Sequence, residues 1–305
     1  MMLQFQIYAL ALLLCFVSSK SHAQDRLPVD GRTRVVMLGT GNPAPSPERA
    51  GPATAIVVDS TPYLIDFGVG VVRRWNAALV AGVGPMPVWG LRTAFVTHLH
   101  TDHTLGYAEL IFTPWTVSAG DIPPLRVFGP AGLQAMTANI LAAYREDISV
   151  RTGPSGGLAG SAAPQVQVEE ITPGVVYRDD LVTVTAFLVR HGAWEQAFGY
   201  RFDTPDKVVV ISGDTASPSV ITDYCKECDI LIHEAALPEG PAVTEYYRDN
   251  HTTAEQLAVT ANRSRPKLLV IYHQRGDETA QRVLERVRAN YTGPVVSARD
   301  GDVFR

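Results

Sequence analysis

Seven residues, Thr97-His98-Leu99-His100-Thr101-Asp102-His103, decide how this chain is read. They follow the β-prone run Ala94 to Val96, and His98, His100, Asp102 and His103 place four lone-pair donors within six positions. A divalent cation needs several such donors converging at about 2.0 to 2.2 Å. A strand end turning into a helix can aim His98 and His100 at one ion and Asp102 and His103 at a neighbour. Packing explains the cluster poorly: one histidine settles easily in a core, whereas four donors so close together do not.

More donors stand just past apolar runs elsewhere in the chain. His191 follows Leu188-Val189-Arg190, Asp214 closes Ile211-Ser212-Gly213-Asp214, His233 ends Leu231-Ile232-His233, and His273 ends Val270-Ile271-Tyr272-His273. Strand ends are where α/β folds present their chemistry. Apolar and β-branched runs predict strands at 34–38, 55–58, 63–65, 94–97, 125–128, 182–187, 208–211, 230–233 and 268–272. Helical spacing falls at 71–80, 105–112, 133–144, 217–224, 253–261 and 278–290. The Gly, Ser, Ala and Pro-rich stretch Thr152 to Gln165 is expected to be a surface loop, so residues 24–305 read as one mixed α+β (α/β) domain.

The order of these motifs resembles the metallo-β-lactamase superfamily from about Arg34 onward. Within it the chain is most similar to the branch holding ribonuclease Z and exported arylsulfatase-like hydrolases. Three stretches carry that similarity: Leu38-Gly39-Thr40-Gly41-Asn42-Pro43, Arg49-Ala50-Gly51-Pro52 and Leu64-Ile65-Asp66-Phe67-Gly68. The resemblance implies the metallo-β-lactamase fold, a four-layer αββα sandwich with a two-metal site along the shared edge of its sheets. It implies that His98, His100 and His191 hold one zinc, that Asp102, His103 and His273 hold the other, and that Asp214 and a hydroxide bridge them. Position 100 is His where di-iron members tend to carry Glu, which favours two Zn2+ per chain over Mn2+ or Fe. The resemblance also implies catalytic roles for Asp102, Glu234 and His251, with Glu234 orienting His251 as proton donor to the leaving group. His251 could instead be a surface residue at a helix start beside an N-cap at Thr252. Asp66 reads as an acceptor for a ligand imidazole N–H or a plain turn former, and His233 as a buried orienting residue. Trp115, Trp194, Phe198 and Tyr200 could line an aromatic pocket, with Arg275 meeting an anionic ester, although aromatics near strand ends usually belong to the core.

Composition narrows the rest. The 305 residues carry 31 acids against 26 bases, a net charge of −5, so no overall basic field gathers nucleic acid. Met1 to Ala23, with its apolar run Tyr8 to Val17 and small residues Ser21 and Ala23, reads as a cleaved signal peptide and predicts an exported, periplasmic or secreted protein without a stable membrane anchor. Its removal takes away Cys15 and leaves Cys225 and Cys228, a spacing suited to a local disulfide. The family's tRNA-clamping arm often lies between the counterparts of His191 and Asp214, and Gly192 to Gly213 leaves no room for one. The resulting expectation is an exported zinc hydrolase of small phosphodiester or sulfate esters, arylsulfatase-like, acting on a small anionic or aromatic ester and not on nucleic acid, with a homodimer possible. Its rivals are lactone or β-lactam hydrolysis, ribonuclease Z-like RNA processing, and a non-catalytic binding protein.

Overall fold

In the strand Thr33–Gly39 (β1), Val35 and Met37 face one way and Val36 and Leu38 the other, and all four are buried. A strand buried on both faces must lie in a sheet covered on each side. The computed structural model describes residues 31–83, 87–118, 122–236 and 243–305, and two such sheets of seven strands run through them. The segment read as a signal peptide, Cys15 included, lies outside the described residues.

In chain order the first sheet takes β1, Ala53–Val58 (β2), Thr61–Ile65 (β3), Thr93–Phe95 (β4), Leu125–Gly129 (β5) and Val166–Glu170 (β6). The second takes Gly174–Arg178 (β7), Thr183–Leu188 (β8), Phe198–Asp203 (β9), Val208–Ile211 (β10), Ile230–Glu234 (β11), Leu268–Tyr272 (β12) and Val295–Ser297 (β13). Val303–Phe304 (β14) returns to the first sheet beside β1. Side by side the strands run β14-β1-β2-β3-β4-β5-β6 and β13-β12-β11-β10-β9-β8-β7. From β3 to β6 and from β10 to β13 the neighbours are parallel.

Period-two alternation sorts the apolar side chains into three layers. Val35, Met37, Phe95, Phe202, Ile211, Ile232 and Val270 fill the space between the sheets. Val36, Leu38, Ala94 and Val127 face outward against the helices Val71–Val80 and Tyr107–Val117. Val210, Leu231, Leu269 and Ile271 do the same against Ala254–Ser264 and Asp277–Asn290. The result is a four-layer αββα sandwich.

The differences from expectation have local causes. β6 and β7 were not predicted because Gln167, Glu169 and Glu170 break up the apolar signal in one and both strands are largely solvent-facing. The helix expected from Leu105 starts at Tyr107, because Thr101–Thr104 forms its own turn and Gly106 then presses on the preceding loop. A Cβ at Gly106 would stand 2.3 Å from the Gly68 carbonyl oxygen. Pro218 makes the start of the expected helix 217–224 a 3-10 turn. Cys225 and Cys228 are joined by a disulfide and buried beneath the outer helices of the second sheet.

Three of the proposed pocket aromatics are core residues. Trp115 is 1% exposed and spends its indole N–H on the Ala162 carbonyl, while Tyr200 is fully buried with its hydroxyl donating to the Val96 carbonyl at 2.8 Å. Phe198 lies in the layer between the sheets. Trp115 packs from the helix Tyr107–Val117 into the outer core of the first sheet, while Phe198 and Tyr200 face the layer between the sheets.

Candidate metal centre

The C-terminal ends of β4, β8, β10, β11 and β12 point to one edge of the sandwich; the segments leaving β4, β8, β10 and β12 carry His98 to His103, His191, Asp214 and His273, and Glu234 is the last residue of β11. Two groups of donors form there.

In the first, each imidazole is held by its far nitrogen. The Thr97 hydroxyl donates to Asp66, so it accepts from His98 Nδ1 at 3.0 Å and leaves His98 Nε2 as a lone pair. His191 Nδ1 donates to the Asn250 carbonyl at 2.7 Å, which leaves its Nε2 bare too. Both lone pairs stand 3.0 Å from His100 Nδ1. On the far side of that ring, Trp194 Nε1 donates to His100 Nε2 at 2.9 Å. The backbone after His191 is fitted as closely: Gly192 has φ +55°, and a Cβ there would meet Asn250 Oδ1 at 2.4 Å.

In the second group, His103 Nδ1 donates to Asp66 Oδ2 at 2.8 Å. Its Nε2 lies 3.5 Å from an oxygen of Asp102 and 3.5 Å from one of Asp214, buried and without a hydrogen-bond partner. His273 Nε2 is 3.1 Å from Asp102 and 3.3 Å from Asp214. The anchors of this group sit in strained backbone: Asp66 has φ +57° and His273 φ +62°, a region non-glycine residues rarely occupy. Gly68, two residues past Asp66, lets the loop touch the Asp102 carbonyl, which a Cβ would approach to 2.5 Å.

A third feature adjoins Asp214. Glu234 is fully buried and accepts from the backbone N–H groups of Ala236 at 2.6 Å, Thr252 at 2.8 Å and Thr215 at 3.3 Å. His251 Nδ1 stands 3.7 Å from Glu234 Oε2 and 3.9 Å from Asp214 Oδ2. The cap of the following helix is Thr253, closed by a reciprocal bond with Gln256, and not Thr252. Thr252 is thereby free to fix Glu234, a role its sequence position does not announce. His233 is buried, and its Nδ1 donates to the Glu234 carbonyl at 2.6 Å.

The electrostatics follow from burial and neighbours. Burial, with His103 nearby, drives His98 well below the usual histidine range; burial also lowers His100 and brings His191 to about 4. Burial opposes ionisation of Asp214, but His273 and His103 outweigh it and hold the carboxyl well below its ordinary value. Burial likewise pulls His251 down, yet Glu234 and Asp214 together raise it to about 9.

These residues suit a bound cation. Buried Asp66, Asp102 and Asp214 find ion-pair partners only among imidazoles within the described residues. The neutral Nε2 lone pairs of His98 and His191 are donor atoms in the protonation state a metal takes, and the orphaned His103 Nε2 faces the carboxylates of Asp102 and Asp214 with no hydrogen-bond partner. His98, His100 and His191 form one group whose ligand atoms lie within 4.8 Å of one another; Asp102, His103 and His273 form another, and Asp214 joins His103 with His98 and also His273 with His251. Of the remaining predicted residues, Trp194 lies beside the first group, and Arg275 is exposed beyond His273.

A double sheet between helices, with a His and Asp cluster at its strand ends, defines a class of metal-dependent hydrolases. The model of the β-lactamase superfamily domain matches residues 46–274, and the chain belongs to that metallo-β-lactamase superfamily. Ribonuclease Z of Mycobacterium sp. (strain KMS) is 32% identical over 244 residues, covering 78% of this chain and 83% of the relative. Ribonuclease Z of Mycobacterium avium (strain 104) is 34% identical over 245 residues, 78% and 85% of the two chains. The fold is shared with human tRNase Z, short form, at a TM-score of 0.66 and 22% identity over 89% of this chain and 98% of that one. A metallo-β-lactamase fold protein from Bacillus subtilis aligns at 0.68 and 16% identity, over 90% and 99%.

These relatives overturn the expectation of an arylsulfatase-like hydrolase of small esters with no nucleic-acid partner. That expectation leaned on the interval Gly192 to Gly213, which is filled by β9 and β10, and on the acidic composition. An interval too short for one clamp speaks only of that clamp. Net charge likewise describes the whole surface and not the groove at one edge.

Proposed function

We propose that this protein is a dinuclear, zinc-dependent phosphodiesterase that hydrolyses RNA. The observation that carries the reading is the similarity to ribonuclease Z across 78% of the chain, coupled to the Glu234 and His251 pair beside the donor cluster. In this reading His98, His100 and His191 hold one ion, Asp102, His103 and His273 the other, and Asp214 faces both. Such ions would neutralise the phosphodiester and lower the pKa of water toward neutrality. Asp102 then acts through the metal rather than as an independent acid or base.

The chain's own contribution is the proton. Three backbone N–H groups fix the Glu234 carboxylate, which keeps His251 charged and faces it toward Asp214. An imidazolium so placed can protonate the departing ribose oxygen, a poor leaving group that needs the proton. The test is purified protein on a transfer-RNA precursor carrying a 3′ extension, with and without chelator. Zinc-dependent cleavage supports the reading; intact RNA with a fully loaded protein sinks it. Export through Met1 to Ala23 is a separate proposal, resting on the apolar run Tyr8 to Val17, and is read from the N-terminus of the mature protein.

A further inference from the structure

Beside His100 the donor cluster opens into a pocket of about 660 Å³, a volume within the range of small-molecule sites. Two segments wall it: Gly192, Ala193 and Trp194 from the loop between β8 and β9, and Tyr246, Asp249 and Asn250 from the helix Glu245–Asn250. The walls are laced together. The Gly192 N–H donates to the Asp249 carbonyl at 2.8 Å, His191 Nδ1 donates to the Asn250 carbonyl at 2.7 Å, and the Arg190 guanidinium pairs with the Asp249 carboxylate. Trp194 is held firmly, since it packs against the outer core of the second sheet and its backbone N–H donates to the His191 carbonyl at 3.1 Å. Tyr246 is 58% exposed, an aromatic ring left open to solvent at the rim.

The lining selects its ligand. It carries two large aromatic side chains and no Lys or Arg, and its one carboxylate is already paired. A phosphate would find no cation there, whereas a flat, uncharged ring would find aromatic surface on which to stack. The pocket also adjoins the chemistry: it shares His100 with the first donor group, and Asn250 leads directly into His251. We propose that it takes the nucleobase next to the scissile phosphate, with Trp194 as the stacking platform and Tyr246 as a second aromatic surface. Every base has a π-face, so such a site sets the register of the strand and tolerates any sequence. The choice of a base as ligand rests on the RNA reading.

The experiment compares adenosine 5′-monophosphate with ribose 5-phosphate, which has the same sugar and phosphate without the base, binding to zinc-loaded full-length protein. Calorimetry should find the nucleotide about 5- to 150-fold tighter, the worth of one stacked base. Trp194→Ala should erase that preference, and Trp194→Phe, which keeps a ring and loses the N–H, should retain most of it. Tyr246→Ala, at the exposed rim, should reduce it. Equal affinity of the unaltered protein for the two ligands, or a preference that survives both alanine substitutions, overturns the base pocket. Nitrophenyl phosphate bound as tightly as the nucleotide would make this a general aryl pocket and overturn the assignment to a base. No arm requires cleavage: RNA cut without any base preference in binding sinks the pocket alone, and base-dependent binding without RNA cleavage sinks the RNA reading while upholding a nucleotide site.

Discussion

The two halves of the metal centre are built from different chemistry. His98, His100 and His191 offer three neutral rings, one of them part-exposed beside a pocket, whereas Asp102, His103 and His273 sit deep, with Asp214 adding a second carboxylate. An ion beside His98, His100 and His191 would meet one carboxylate, that of Asp214, and keep more of its charge, whereas one beside Asp102 and Asp214 would meet two. Under the proposed function, the open half would attract an anionic phosphodiester and the buried half would hold the assembly together. Asp66 binds the halves into one frame, since it touches His103 directly and His98 only through the Thr97 hydroxyl.

The largest effect should come from breaking both halves at once. Asp214 lies 3.3 Å from His273 and 3.5 Å from His103, and shares a donor group with His98. Asp214→Ala should lower activity by more than about 100-fold, beyond the range for a residue that merely supports a ligand. Elemental analysis should find the metal content falling from about two per chain toward one or none. Two ions retained with near-normal turnover would mean that the halves are independent.

The next substitution asks where the buried half ends. His251 also forms a donor group with Asp214 and His273, so it could be a ligand rather than an acid. If it donates the proton, His251→Ala keeps both metals and slows RNA cleavage by roughly 100- to 10,000-fold, the usual scale for a general acid. A nitrophenyl phosphodiester, whose leaving group departs as a stable anion, should suffer far less. Metal lost from the variant, or equal impairment on both substrates, would place His251 in the buried half as a ligand or a structural residue.

The donor residues stand out in sequence because four fall within six positions and the others follow apolar strands directly. The two-sided burial of β1, β2 and β12 is legible for the same reason, as uninterrupted apolar runs. Residues that act through hydrogen bonds leave no such mark. Thr97 and Thr252 are ordinary threonines until the fold sets one on Asp66 and the other on Glu234. Trp194 and Trp115 look alike in sequence, yet Trp194 borders a pocket from the loop between β8 and β9 while Trp115 is buried on the helix Tyr107–Val117, an outcome of tertiary packing that spacing does not encode. Substrate class was the least legible: the interval Gly192 to Gly213 speaks of one clamp, and a chain-wide charge says nothing of one edge of the sandwich.

The smallest of the three effects should separate the halves most cleanly. Asp66→Asn preserves the turn, because Asn tolerates the left-handed backbone that φ +57° imposes better than most residues. Its carbonyl oxygen can keep the bonds from the Thr97 N–H and hydroxyl that Asp66 Oδ1 now accepts, so His98 retains its orientation. Its amide nitrogen, however, would face His103 Nδ1, 2.8 Å from where Oδ2 now sits, and two donors would meet. His103 then turns or moves its proton to Nε2, and the lone pair it offers the buried half is lost. A supporting residue of this kind typically changes metal affinity by about 10- to 100-fold. Zinc titration against a competing chelator should show that loss in one binding step and little change in the other. Equal weakening of both steps would mean that the Thr97 relay carries as much as the direct bond, and that the two halves are a single site.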